Sequence, residues 1–360
     1  MPRRQALPED LRQLCSLCRA GKLFAVQDWI KAGQRFRLPD GHFTTSPLGT
    51  SVQSGFHSLV EVLLKAGVSS QEANEALALA LTDRNLDLAQ LLIQYGADVN
   101  AVDPEEVFWS RHSGIIRCFI ENGMDLESGA SIAKAFRDNH REFLGIYLDL
   151  RDRIRSARSQ AAMALRYHAE RGNLKWVSLL LWAGTDARLR VPRIEEWDWD
   201  KEDMDTALNG ALLYGRFEVV KRIGLDSVRD DVTGLLNQHF IYPNHEVIEL
   251  LITAGADVSK PSPHVIDSVF SSFERSLNTS FAENPTRTEE ALRCMEILGS
   301  NGVHWSVPNK YRLFRLRRTL TRLPLYQALR YLQRIANSRI MEQSVFEELM
   351  RTPKMRQILN

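Results

Sequence analysis

The sequence has no long hydrophobic run. Its longest apolar stretch, residues 176–183, is far short of the roughly 20 residues a membrane-spanning helix needs. The opening MPRRQALPEDLRQ has no apolar core of the kind a secretory signal carries. Cysteine is scarce as well. Cys15, Cys18, Cys118 and Cys294 stand at unrelated spacings, which suits a reducing compartment better than a disulfide framework. The expectation is a cytoplasmic protein with no membrane partner.

Catalytic and cofactor motifs are missing too. There is no G-x-x-x-x-G-K, no G-x-G-x-x-G, no G-x-S-x-G and no H-E-x-x-H. Cys15 and Cys18 form the one metal-like spacing, but structural zinc takes four ligands, usually as two pairs, and no second pair exists. Both cysteines fall on a helical stripe with Leu11 and Leu14, so a buried helix face is expected there. His57, His140 and His245 occupy equivalent places in a recurring phrase, which points to a structural role. No catalytic residue, metal, cofactor or small-molecule substrate is expected. Period-two alternation is absent over any useful length, so the chain reads as all-α.

What is present is a repeated phrase. LDLAQLLIQYGADVN (residues 86–100), HEVIELLITAGADV (245–258), LKWVSLLLWAGTDA (174–187) and FHSLVEVLLKAG (56–67) are variants of one another. The doubled apolar position recurs at Trp29-Ile30, Leu63-Leu64, Leu91-Leu92, Phe119-Ile120, Ile146-Tyr147, Leu179-Leu180, Arg222-Ile223, Leu250-Leu251 and Ile297-Leu298. Successive steps are 34, 28, 28, 27, 33, 43, 28 and 47 residues. Steps of 27 and 28 fit a helix pair with a short hairpin; steps of 43 and 47 imply insertions. Gly67, Gly96, Gly123, Gly184 and Gly255 fall where the second helix must stop, a place that favours the left-handed backbone. One helix pair cannot bury such a stripe alone, so neighbouring pairs must cover it.

The phrase resembles the ankyrin repeat, a turn plus two helices of about 33 residues. TSPLGTSVQSG (45–55) is the best match to that family's T-P-L-H-x-A opening, with Gly49 in place of the His and Ser51 in place of the Ala. Other openings, MALRYHAERG (163–172) and LNGALLYG (208–215), are more degraded. The resemblance implies an ankyrin-like α-solenoid of about eight or nine helix-pair units, followed by a basic helical C-terminal extension. It also implies a non-catalytic adaptor or scaffold that grips a protein on its concave face. Along the chain, residues 1–20 read as an N-terminal cap helix and 21–260 as repeats with an insertion at 188–206. Residues 261–302 read as an irregular segment and a last repeat-like unit, with 270–287 a loop or lone helix, and 303–360 as the basic extension. Thr352 is placed as the cap of a final helix that starts at Pro353.

Two features depart from the repeat. The insertion IEEWDWDKEDMD (194–205) carries seven acids with Trp197 and Trp199. Nearby Trp182 stands where other repeats have Gln94 or Thr253. Trp182, Trp197, Trp199, Asp198 and Asp200 are therefore candidate partner contacts, tryptophan being enriched among interface hot spots. The alternative is that Trp197 or Trp199 folds onto Trp182 as a local cluster.

The second feature is charge. Residues 303–360 hold 12 basic and 3 acidic residues, a net of +9, which leaves −8 for the rest of a chain whose total is +1. Residues 297–341 contain no acid at all. Lys310, Arg312, Arg315, Arg317, Arg318 and Arg322 are candidates for contact with nucleic acid or an acidic protein surface, and Tyr311, Phe314, Tyr326 or Tyr331 could stack on bases. Leu313, Leu316, Leu320 and Leu323 run at helical spacing, so an ordinary solvated cap is a third reading. Three functional readings follow: a protein-binding scaffold, a regulatory subunit of a nucleic-acid-associated complex, and a host-directed bacterial effector.

Overall fold

A computed structural model describes residues 8–38, 45–194, 204–238, 240–259, 263–278, 285–304 and 310–359. The chain divides into two compact units, residues 1–161 and 162–360. The described residues form twenty-two α-helices and no strand; Val191 and Asp205 pair as an isolated bridge.

The first unit contains α1 (Glu9–Arg19), α2 (Leu23–Lys31), α3 (Pro47–Gln53), α4 (His57–Ala66), α5 (Ser70–Thr82), α6 (Leu86–Gln94), α7 (Pro104–Trp109), α8 (Ser113–Glu121), α9 (Ser131–Arg137) and α10 (Phe143–Leu150). The division falls within α11 (Ala157–Arg171). The second unit continues with α12 (Leu174–Trp182), α13 (Ala207–Leu213), α14 (Phe217–Ile223), α15 (Val232–Leu236), α16 (His245–Thr253), α17 (Pro263–Asn278), α18 (Pro285–Ser300), α19 (Lys310–Leu320), α20 (Leu325–Asn337), α21 (Gln343–Leu349) and α22 (Pro353–Leu359). Of residues 270–287, expected as a loop or lone helix, 270–278 belong to α17 and 285–287 begin α18, while 279–284 lie outside the described residues.

Packing follows alternate helices. In the first unit α1 packs on α3 and α3 on α5, while α2, α4, α6, α8 and α10 pack in succession. In the second, α12, α14, α16, α18, α20 and α22 form one such row, and α17, α19 and α21 another. The basic C-terminal residues therefore stack in the same alternate-helix order as the repeats before them. In the doubled apolar pairs the second residue is usually the more deeply buried: Leu92, Leu180, Leu251 and Leu298 are each fully shielded. Burying a leucine contributes about 1.5–3 kcal/mol, so each of these rungs adds substantially to the apolar support of its layer.

Local chemistry explains why the helices start and stop where they do. Asn85, Asn173 and Asn244 precede second helices, and each side chain accepts a hydrogen bond from the backbone N–H three residues on. Ser46, Ser69 and Thr206 do the same for first helices, and Ser69 with Glu72 forms a full capping box. The five stop glycines have φ between 85 and 99°, where any other residue would carry a Cβ penalty.

Candidate interaction surfaces

The hairpin edge is built by the aspartate of the Gly-x-Asp turn. Asp98, Asp125, Asp186 and Asp257 each accept the N–H two residues on, at 2.8–2.9 Å, which folds the hairpin on itself. A neighbouring layer then accepts the aspartate's own N–H. Asn74 takes that of Asp98 at 2.8 Å, Asn100 that of Asp125 at 2.8 Å, and Thr233 that of Asp257 at 2.9 Å. Asn100 also donates to the Gly123 carbonyl at 3.1 Å. The sequence phrase contains these aspartates, but their partners, two asparagines and a threonine, lie 24 or 25 residues away.

The described ends of the 188–206 insertion close into a neck. Val191 and Asp205 exchange backbone hydrogen bonds of 2.9 and 3.1 Å as an antiparallel bridge. Arg166, only 1% exposed, donates to the Val191 carbonyl at 2.8 Å and to Glu170 at 3.0 Å. Just before the neck, Arg188 grips Asp230 with two bonds of 2.6 and 2.7 Å and donates to the Gly224 carbonyl at 2.8 Å. Burial pushes the Asp230 carboxyl up, but Arg188 and the Asp226 N–H outweigh it and hold the carboxyl below its usual range. The same contact raises Arg188. Sequence reading missed this clasp, since Arg188 and Asp230 are 42 residues apart in different repeats.

Trp182 ends α12 with 67% of its surface exposed. Trp197, Asp198, Trp199 and Asp200 lie outside the described residues. Of the tail cations, Lys310 and Arg312 lie on α19, but their side chains are outside the description. Arg315 sits 3.2 Å from Glu274, a carboxylate only 1% exposed. Arg317 donates to the Leu349 carbonyl at 3.1 Å and to that of Glu348, capping the C-terminus of α21. Arg334 bonds both Glu289 and Glu296, at 2.6 and 2.8 Å. Burial alone would lower Arg334, and the two carboxylates raise it. Arg318 and Arg322 remain exposed. Tyr331 packs edge-on against Phe273 at 5.6 Å, a packing contact rather than an open stacking face.

Cys15 and Cys18 are buried on α1 beside Leu11 and Leu14, and burial raises both thiols. His57 and His245 begin α4 and α16. His245 contacts Glu290 at 2.7 Å, while His140 is buried just before α10 with Trp109 edge-on at 5.0 Å. No described helix is long and apolar enough to cross a membrane.

Capped helix pairs, glycine stops, aspartate turns and alternate-helix stacking give the fold, and comparison with known proteins agrees. A model of ankyrin repeats in three copies matches residues 14–103. Residues 14–103 are ankyrin repeats. It is similar to "Ankyrin repeat and KH domain-containing protein CBG24701" of Caenorhabditis briggsae, at 28% identity over 237 residues, covering 59% of this chain and 8% of the relative. It is also similar to "Ankyrin repeat and KH domain-containing protein mask-1" of Caenorhabditis elegans, at 28% over 235 residues with the same coverage. The chain thus spans only a small part of the length of these relatives. Ankyrin repeats are a protein-interaction module, and no enzyme family is indicated for this chain.

Proposed function

We propose that this chain is a non-catalytic protein-binding scaffold of the cytoplasm. Its partner lies along the first helices and hairpin tips of the ankyrin repeats and meets the insertion at 188–206. One observation carries the reading: Trp182 is 67% exposed at the end of a helix whose Trp176, Val177 and Leu180 are buried. Exposing a ring of that size to water is unfavourable by the usual area argument, and tryptophan is a frequent interface anchor. The insertion that follows is closed at its base by the Val191–Asp205 pairing and anchored by Arg166. That anchored base supports the assignment of Trp197, Trp199, Asp198 and Asp200 to the same partner contact. The four cysteines are buried free thiols, which accords with a reducing compartment.

The test is tagged full-length chain captured from its native source with its partner quantified by mass spectrometry. Trp182→Ala and the Trp197→Ala/Trp199→Ala pair should each lower partner recovery at least about tenfold, the scale of an interface hot spot. Recovery unchanged in both variants would refute the placement.

A further inference from the structure

We propose that α19, the turn after it and the start of α20 bind single-stranded nucleic acid. This surface is separate from the protein-binding reading and does not depend on it. Leu313, Leu316 and Leu320 bury one face of α19. On the other face Tyr311 is 65% and Phe314 56% exposed, and Arg318 and Arg322 are exposed beyond them. Positions 311, 314, 318 and 322 are three or four residues apart, so they share one side of the helix and its terminal turn. On α20 Tyr326 is 75% exposed, with the exposed Arg330 one helical turn further on.

Charge points to the occupant. The segment 297–341 contains no carboxylate of its own. The structure uses Arg315 and Arg334 in ion pairs and Arg317 as a helix cap. Arg318, Arg322 and Arg330 have no ion-pair partner among the described residues. Open cations alone would suit any anion. Here they stand three or four residues from exposed rings on the same strip, which matches a strand presenting both phosphates and unstacked bases. A duplex hides its base faces within the stack, so rings give it little. A carboxylate-rich peptide would use the arginines and leave the rings without a matching surface.

The experiment uses the full chain with fluorescein-labelled mixed-sequence 20-mers of RNA and of DNA, single-stranded and duplex, read by anisotropy. We expect saturable single-strand binding with duplex weaker. Three phosphate contacts give a salt slope of about −2, so affinity should fall about 20-fold between 50 and 200 mM salt. Arg318→Glu with Arg322→Glu should flatten the slope to about −0.7. Phe314→Ala with Tyr326→Ala should weaken binding about 30-fold with the slope kept, from two lost stacking contacts. Lys354→Glu, on exposed α22 surface, should stay within about twofold, since it removes no contact in the proposed strip. All altered side chains are exposed, and circular dichroism checks that each variant is folded. The proposal is overturned by absence of binding, by tighter binding of duplex, by indifference to ring removal, or by a glutamate-rich peptide that competes at equal charge concentration. The last result would assign the strip to an acidic protein.

Discussion

Removing the charge of Asp230 tests whether the base of the insertion is held as described. Asp230 has only 4% of its side chain exposed, and Arg188 has 20%. Asp230→Asn leaves a guanidinium with two good bonds weakened and no counter-charge. Breaking a fully buried pair costs about 3–5 kcal/mol. Arg188 keeps some contact with water and its bond to the Gly224 carbonyl, so about 2–3 kcal/mol is expected. For a unit of 150–250 residues, each kcal/mol moves the melting temperature about 2–4 °C, giving a fall of about 4–12 °C at pH 7. The pH dependence follows from the sign of the shift. A carboxyl depressed in the folded state stabilises fully above its unfolded pKa, near 3.9, and that contribution is lost as pH falls through the lower folded value. The gap between wild type and variant should therefore be constant from pH 7 to about pH 5 and close at lower pH. Trypsin should also cut faster at Arg190 and Arg193 in the variant, because the neck loses its brace. Thermal melts within 1 °C of wild type at pH 7, or a gap that persists undiminished to pH 2, would refute the clasp.

Other measurements probe the scaffold. Gln160 is 3% exposed; it accepts from the Ile132 N–H and donates to the Leu126 carbonyl. Gln160→Ala orphans both groups and should cost about 2–4 kcal/mol in urea unfolding, whereas a loss under 1 kcal/mol would mean water replaces the side chain. Asn244→Ala should lower stability by about 1 kcal/mol and Asn244→Asp much less, since aspartate still accepts from the Val247 N–H. If alanine and aspartate behave alike, the cap contributes nothing. All four cysteines are buried, and burial raises their thiols. Thiol labelling at pH 8 should therefore be slow in the native chain and fast in denaturant; a thiol that labels fast without denaturant would show local opening at that helix.

The helix pairs were readable because their determinants are local. Leucine spacing, stop glycines and the turn aspartate all act within a few residues, and a one-dimensional pattern records them. The asparagines at 85, 173 and 244 are equally local and stand in the same place before α6, α12 and α16. Lysine, phenylalanine, histidine, glutamate or arginine holds that place before other second helices, so the asparagine recurs too seldom to stand out beside the leucines. Arg166, Gln160 and the Arg188–Asp230 clasp are different in kind. Each joins residues 25 to 42 apart and occurs once, so no recurrence betrays it.

Charge shows the same division with more consequence for function. Counting residues makes 303–360 a strongly basic extension in which every arginine looks alike. Folding distinguishes them through residues the count ignores: the buried Glu274 takes Arg315, the end of α21 takes Arg317, and Glu289 with Glu296 takes Arg334. Two of those three jobs are done by carboxylates that lie before the basic segment begins. Two of these cations, Arg315 and Arg334, are thus matched by carboxylates within the second unit, which takes them out of any long-range attraction for polyanions. Arg318, Arg322 and Arg330 keep their charge facing solvent beside exposed rings, and short-range contact is where such a surface acts.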